Sequence, residues 1–394
     1  MNGATPPGLF PEMTRSEPRK IGILPSQEIR ELIRNGKIRS RVEIPDDQIQ
    51  PASIDLRLGN IAYQVEASFL PNGMSPIRPK IRELQLGEID LSKPALLKPQ
   101  SVFIVPLVES LALPPDMSGK ANPKSTTGRL DIHTRLMTES GAEFEEVPEG
   151  YSGDLYLEIV PRTFPIVVKA GTKLNQLRFF KGNPEKDDEQ LRKTAQRQRL
   201  VYYENGDPRT KPIIRGGLRV TVDLQGGEKQ CIVAYKAKKK CPAIDLAKVS
   251  AYEVADFWDP IMSPNKLVLR PGDFYLMASK ERIGVPPDYA AAMLPYDPVI
   301  GEFTVHYAGF FDPGFGYGVS GEIKGTKAVL EVRAHEVPIL LEDGQEVGRL
   351  LYHKMAERPN KLYGQAIGSS YQQQGLALSK QFRTTASAQA AAQR

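Results

Sequence analysis

The stretch Asn122–Ile132, NPKSTTGRLDI, crowds Lys124, Ser125, Thr126 and Arg129 into one short run. Cationic groups, hydroxyl donors and backbone amides at a tight turn are what a polyphosphate needs. The run is not a Walker loop, because the G-x-x-x-x-G-K-[ST] spacing is missing. By itself it is equally an ordinary solvated turn. Two acids stand out against apolar surroundings: Glu158 in LYLEIV and Glu331 in VLEV. A carboxylate there either faces solvent from a sheet edge or sits in a pocket that raises its pKa. Asp312-Pro313-Gly314 adds a hairpin signal with a carboxylate at its start. The histidines His133, His306, His335 and His353 are scattered, and no CxxC, HxE or HExxH spacing occurs. Zinc is therefore not expected.

The elements that must position these groups come as a repeat. Leu96–Ser125 aligns with the segment from Leu267: Pro99 pairs with Pro271, and Pro114-Pro115-Asp116 with Pro286-Pro287-Asp288, at an offset of 172. Downstream, GYSGDLYLEIV matches GTKAVLEVRA, which makes Glu158 and Glu331 equivalent, and AGTKLNQLRFF matches EDGQEVGRLLYH. At the offset of 172 the cationic run becomes Tyr296, Asp297 and Pro298, with Gly301 opposite Arg129. The anion-binding types survive in the first copy only, so the copies have divided their labour or one has decayed.

Each copy reads as all-β with a few short helices: apolar residues alternate in DLYLEIV, TFPIVVKAG and HEVPILLEDG, with Pro or Gly at the breaks. A helix is predicted in SQEIRELIRNGK, with Ser26 capping its start and Gly36 its end. The predicted organisation is an arm over 1–20 that is disordered, a module over 21–182, a charged linker over 183–213, a second module over 214–358 and a mobile tail over 359–394 that orders on binding and closes over the site.

The bulk numbers bound the rest. The 394 residues suit two domains, and 33 glycines with 33 prolines exceed the usual share of ~12%. A net charge of +5, with no basic stripe interleaved with aromatics, gives no case for nucleic acid. No apolar run reaches membrane length. Two cysteines, Cys231 and Cys241, make no disulfide framework and favour a reducing cytoplasm.

Five pieces, in order, resemble the dCTP deaminase branch of the dUTPase-like superfamily: IQPASIDLRLG, PKSTTGRL, AGFFDPGF, VLEV and YQQQGLALSK. The resemblance implies two tandem distorted β-barrel modules and conversion of dCTP to dUTP and ammonia without zinc, with Mg²⁺ carried on the triphosphate. It makes Glu331 the general base, and Ser125 and Arg129 the groups that position the water and polarise the reacting centre. Lys124 and Thr126 fall in its phosphate loop, Ala308 leaves room for the base, and Asp312 receives the 3′-hydroxyl. Val329 and Leu330 lie on the strand that reads the pyrimidine, and Tyr363 and Gln373 match tail residues over the triphosphate. The family trimerises, so a homo-oligomer, a trimer of two-module chains, is implied. The cationic turn belongs to copy one and the acid to copy two, which gives one composite site per pair of modules, within or between chains. Two positions depart: Lys124 replaces an arginine, and Ser369-Ser370 stand where a tail lysine is expected. A dUTP-hydrolysing or bifunctional enzyme and a non-catalytic nucleotide-binding regulator are the competing readings.

Overall fold

The chain is described by a computed structural model covering residues 21–383, except 72–75, 140, 204–211, 227–230, 263–264, 296–302, 307–308, 335, 365–370 and 373. The predicted arm over 1–20, Ala308 and Gln373 thus lie outside the described residues. Among those described, no helix is long and apolar enough to cross a membrane.

The repeat is visible strand by strand. In the first half one sheet runs Ile61–Val65, Val102–Ala112, Ser152–Pro161, Ile132–Thr138. In the second half the order is Ile232–Ala237, Phe274–Ile283, Thr326–Ala334, Phe303–His306. Both sheets carry the same irregularity: the register jumps from Ser110 to Pro106 between Asp154 and Tyr156, and from Arg282 to Ala278 between Lys327 and Val329. In the second copy Ser279 closes this bulge, its hydroxyl accepting from the Ala328 amide at 2.9 Å and donating to the Glu281 carbonyl at 2.6 Å. Such a bulge re-aims the strand that follows, and here that strand carries Glu331.

Three sequence expectations change. The alternation in DLYLEIV predicts one wet face, yet Leu155–Ile159 is buried throughout. Leu157 and Ile159 join one core, while Tyr156 packs with Ile77 and Ile81 of the helix Ile77–Leu84 on the other face. The early helix spans Ser26–Arg34, and Ser26 is its first helical residue rather than its cap; Pro25 precedes it with no side-chain capping bond. The charged linker is not a tether. Its helix Asp188–Arg197 is capped by Asp187, and Leu191, Leu200 and Val201 are buried in the second module's core.

The modules also interleave. Ile244–Asp245 adds to Ile166–Val168 as a parallel strand, and one apolar cluster mixes Leu58, Phe103 and Leu174 with Trp258, Phe274 and Phe382. A shared core of this kind holds the halves at one fixed distance, as a site built from both requires.

Candidate active site

Strand Met117–Pro123 delivers the cationic run, which folds into a single helical turn, Ser125–Gly128. Lys124 caps that turn in an extended conformation, and its carbonyl accepts from Thr127 at 2.8 Å and Gly128 at 3.0 Å. The turn is pinned from below, because the Lys124 amide and the Thr127 hydroxyl both donate to the Leu174 carbonyl, at 3.0 and 2.8 Å. Polar residues of an apparent surface turn thus fix a buried corner, with Arg129 only 3% exposed.

Glu331 meets this corner from the other module. Its strand pairs with Phe274–Ile283 on one side and Phe303–His306 on the other, and Glu331 as a whole is 6% exposed. Gly128 is the residue it packs on: a Cβ there would lie 2.7 Å from Glu331 Oε1. Only glycine allows that approach, so Gly128 is a site residue that composition alone did not reveal. Burial pushes the Glu331 pKa well above the usual carboxylate range, with Arg129 opposing the rise and Asp131 adding to it. Val329 lines the same cavity, whereas Leu330 points away into the second module's core.

The described part of the tail closes the third side. Arg129 Nη1 donates to Gln374 Oε1 at 3.0 Å and to the Ala377 carbonyl at 2.8 Å. Its guanidinium lies 3.7 Å from the centre of the Tyr371 ring. The Tyr371 and Thr126 hydroxyls are 3.3 Å apart, and Ser379 Oγ donates to the Thr126 carbonyl at 3.1 Å. Arg129 Nε, by contrast, is buried with no hydrogen-bond partner among the described residues. Gln374, next to the expected Gln373, lines the cavity; a run of three glutamines gave no signal to separate them.

The enclosed cavity between Glu331, Ser125, Arg129 and Tyr363 has a volume of about 50 Å³. It shares Lys124, Ser125, Tyr363 and Tyr371 with a wider cleft of about 540 Å³, walled by Lys169, Lys173 and Lys380. Asp312 lies on that wall and is held from beneath by Arg178 of the first module. The guanidinium of Arg178 is fully buried and donates to Asp312 Oδ1 at 2.9 Å, to the Phe311 carbonyl at 3.0 Å and to the Ala291 carbonyl at 2.9 Å. Burial raises the Asp312 pKa, and Arg178 pulls it back. Lys124 forms an ion pair with Asp55, so its charge is partly committed inside the protein. Glu158 takes another course: Arg135 lies in register with it and donates from Nε to Oε1 at 2.8 Å, whereas His306 is in register with Glu331. The first module's acid is thereby neutralised within its own sheet.

An acid on a bulged strand of one β module, facing a hydroxyl-and-guanidinium turn of its tandem twin, defines a two-module member of the dUTPase-like class. Family models for 2′-deoxycytidine 5′-triphosphate deaminase match the chain twice, the N-terminal domain over residues 20–183 and the C-terminal domain over 187–382. A crystal structure of 2′-deoxycytidine 5′-triphosphate deaminase from Agrobacterium tumefaciens is 47% identical, with a TM-score of 0.80 over 87% of this chain and 100% of that one. Single-module relatives described as "dCTP deaminase, dUMP-forming" come from Parafrankia sp. (33% identical over 165 residues) and Dictyoglomus thermophilum (29% over 164 residues). Each of these matches covers 40% of this chain, and 76% and 80% of the respective relative. The chain belongs to the dCTP deaminase family.

Proposed function

We propose that the chain deaminates dCTP to dUTP and ammonia, with Glu331 as the general base. The observation that carries this reading is the buried Glu331 carboxyl, packed on Gly128 and facing Arg129 across the module seam. Glu331 takes a proton from water as the oxygen bonds to cytosine C4 and passes it to N3, which takes up the C4=N3 electron pair. It then carries the remaining hydroxyl proton to the exocyclic nitrogen, so that the C–N bond breaks, ammonia leaves and the C4=O bond forms. Burial raises the pKa of this carboxyl, which favours its holding the proton between the two transfers. Ser125 orients the water, and the unpartnered Arg129 Nε–H is a donor for charge that develops at the reacting centre. Asp312, paired with Arg178, accepts the 3′-hydroxyl, and Tyr363 walls the base.

The triphosphate runs along the wider cleft, past Thr126 and toward Lys380, Lys169 and Lys173. Lys380 supplies the tail cation that Ser369-Ser370 lack. The carboxylates Asp47 and Asp55 of this cleft are salt-bridged to Lys173 and Lys124. That donor set fits a Mg²⁺ ion held by the nucleotide's own phosphates, where it would neutralise their charge. Neither the chemistry nor the donor set calls for zinc.

Purified protein incubated with dCTP and Mg²⁺ should yield dUTP and ammonia without pyrophosphate, at a rate that a zinc chelator does not change. The description of the single-module relatives favours a second reading, in which dUTP is hydrolysed further. Accumulation of dUMP with pyrophosphate would establish it, and recovery of unchanged dCTP would remove both.

A further inference from the structure

Two residues beyond Arg129, Asp131 ends the helical turn in the left-handed region, with φ 55°. Two residues beyond Glu331, Arg333 projects from the same face of its strand, since alternate residues share a face. The two side chains meet across the module seam. Arg333 Nε donates to Asp131 Oδ1 at 3.2 Å, and Nη2 pairs with Asp131 Oδ2. Nη2 also donates to Thr163 Oγ1 at 2.7 Å, Nη1 to the Gly272 carbonyl at 3.1 Å, and Thr163 Oγ1 to Asp131 Oδ2 at 2.5 Å. Both side chains are buried, at 7% and 0% exposure. A bidentate fork fixes distance and angle together, and here it joins the two segments that bring Arg129 and Glu331 face to face. In the first module the strand position equivalent to Arg333 is Val160, two beyond Glu158, so that strand offers no side chain for the same bridge.

We propose that Asp131 and Arg333 are a positioning pair for the deamination: their bridge sets the spacing of the Ser125–Arg129 turn from Glu331 and fixes the net charge that the reacting carboxyl faces. The inference rests on Glu331 being the base. The charges that bear on Glu331 are those of Arg129 and Asp131 from the turn. Arg333 lies two residues along its own strand, the backbone of His306 is in register on one neighbouring strand and apolar Leu276 on the other, and Lys124, Tyr363 and Tyr371 line the cavity. Removing the Asp131 charge leaves Arg129 and Arg333 to favour the carboxylate.

The test is the pH profile of kcat/KM for dCTP, alongside thermal unfolding to confirm the fold. Asp131→Asn should move the acid limb to lower pH by about one unit and lower kcat about tenfold through lost alignment. Asp131→Asn combined with Arg333→Gln should bring the limb back toward the wild-type position while kcat stays low. If the Asn variant does not fold, Arg333→Gln carries the test with the opposite sign, the limb moving to higher pH. A folded variant with reduced kcat and an unmoved limb would reduce the bridge to scaffolding and overturn the proposal. Full turnover by Glu331→Gln would instead show that the base had been misassigned.

Discussion

At the scale of single residues, the site is built at the expense of stability. Glu331 is an acid whose pKa is raised in the fold, because burial disfavours its charged form. Such a group leaves the fold unpenalised below its unfolded pKa, near 4.5, and lowers stability as pH rises through its folded pKa. Glu331→Gln should therefore abolish turnover while nucleotide still binds, and should raise the melting temperature at neutral pH. That gain should vanish near pH 4, where the wild-type acid is also neutral; a calorimetric pH series gives the sign directly. The repeat supplies its own control. Glu158→Gln removes the partner of Arg135 and leaves a cation without its acid. It should lower the melting temperature and change turnover little, the reverse pattern. Equal loss of turnover from both substitutions would remove the distinction between the modules.

At the scale of elements, the tail from Gln374 to Arg383 acts as a strap whose far end is anchored. Phe382 is 2% exposed among Phe257, Trp258 and Tyr252, with ring centroids 5.3, 6.0 and 6.5 Å away. Between that anchor and the site, Ala377 and Ser379 bond to Arg129 and Thr126. Burying a phenylalanine is worth about 2–3 kcal/mol, enough to hold a short segment down. Phe382→Ala should thus release the strap, raise KM for dCTP by about tenfold or more and lower kcat as the hold on Arg129 Nη1 loosens. Trp258 is the sole tryptophan and fully buried, so its emission should shift to the red in the same variant. Unchanged emission with unchanged KM would mean that the strap docks without this anchor.

At the scale of the whole molecule, one chain supplies both halves of the site, since Gly128 and Glu331 of the same chain are in contact. Mixing a Glu331→Gln chain with an Arg129→Met chain, by co-expression or by refolding together, should therefore restore no activity beyond that of the separate variants; recovery to a sizeable fraction of wild type would place the site between chains. Much of this was legible in the sequence. The 172-residue repeat, the all-β elements, the run from Lys124 to Arg129, Asp312 and the inequality of the two copies follow from residue types, because turn chemistry and strand patterning are local. The partners were not. The packing of Glu331 on Gly128, the Arg178–Asp312 pair and the Asp131–Arg333 bridge depend on which distant segments meet, and local pattern carries no record of that; the closing tail was implied by the family resemblance alone. A glycine inside a turn looks like a conformational choice until a carboxylate packs on it. A charged stretch such as Asp188–Arg197 looks like a tether until its few apolar residues find a core. The sequence by itself determined which groups were available and that the two modules had diverged. Only the tertiary structure decided that Glu331 is enclosed while Glu158 is neutralised, because that difference lies in the cross-strand and cross-module neighbours that set each acid's charge.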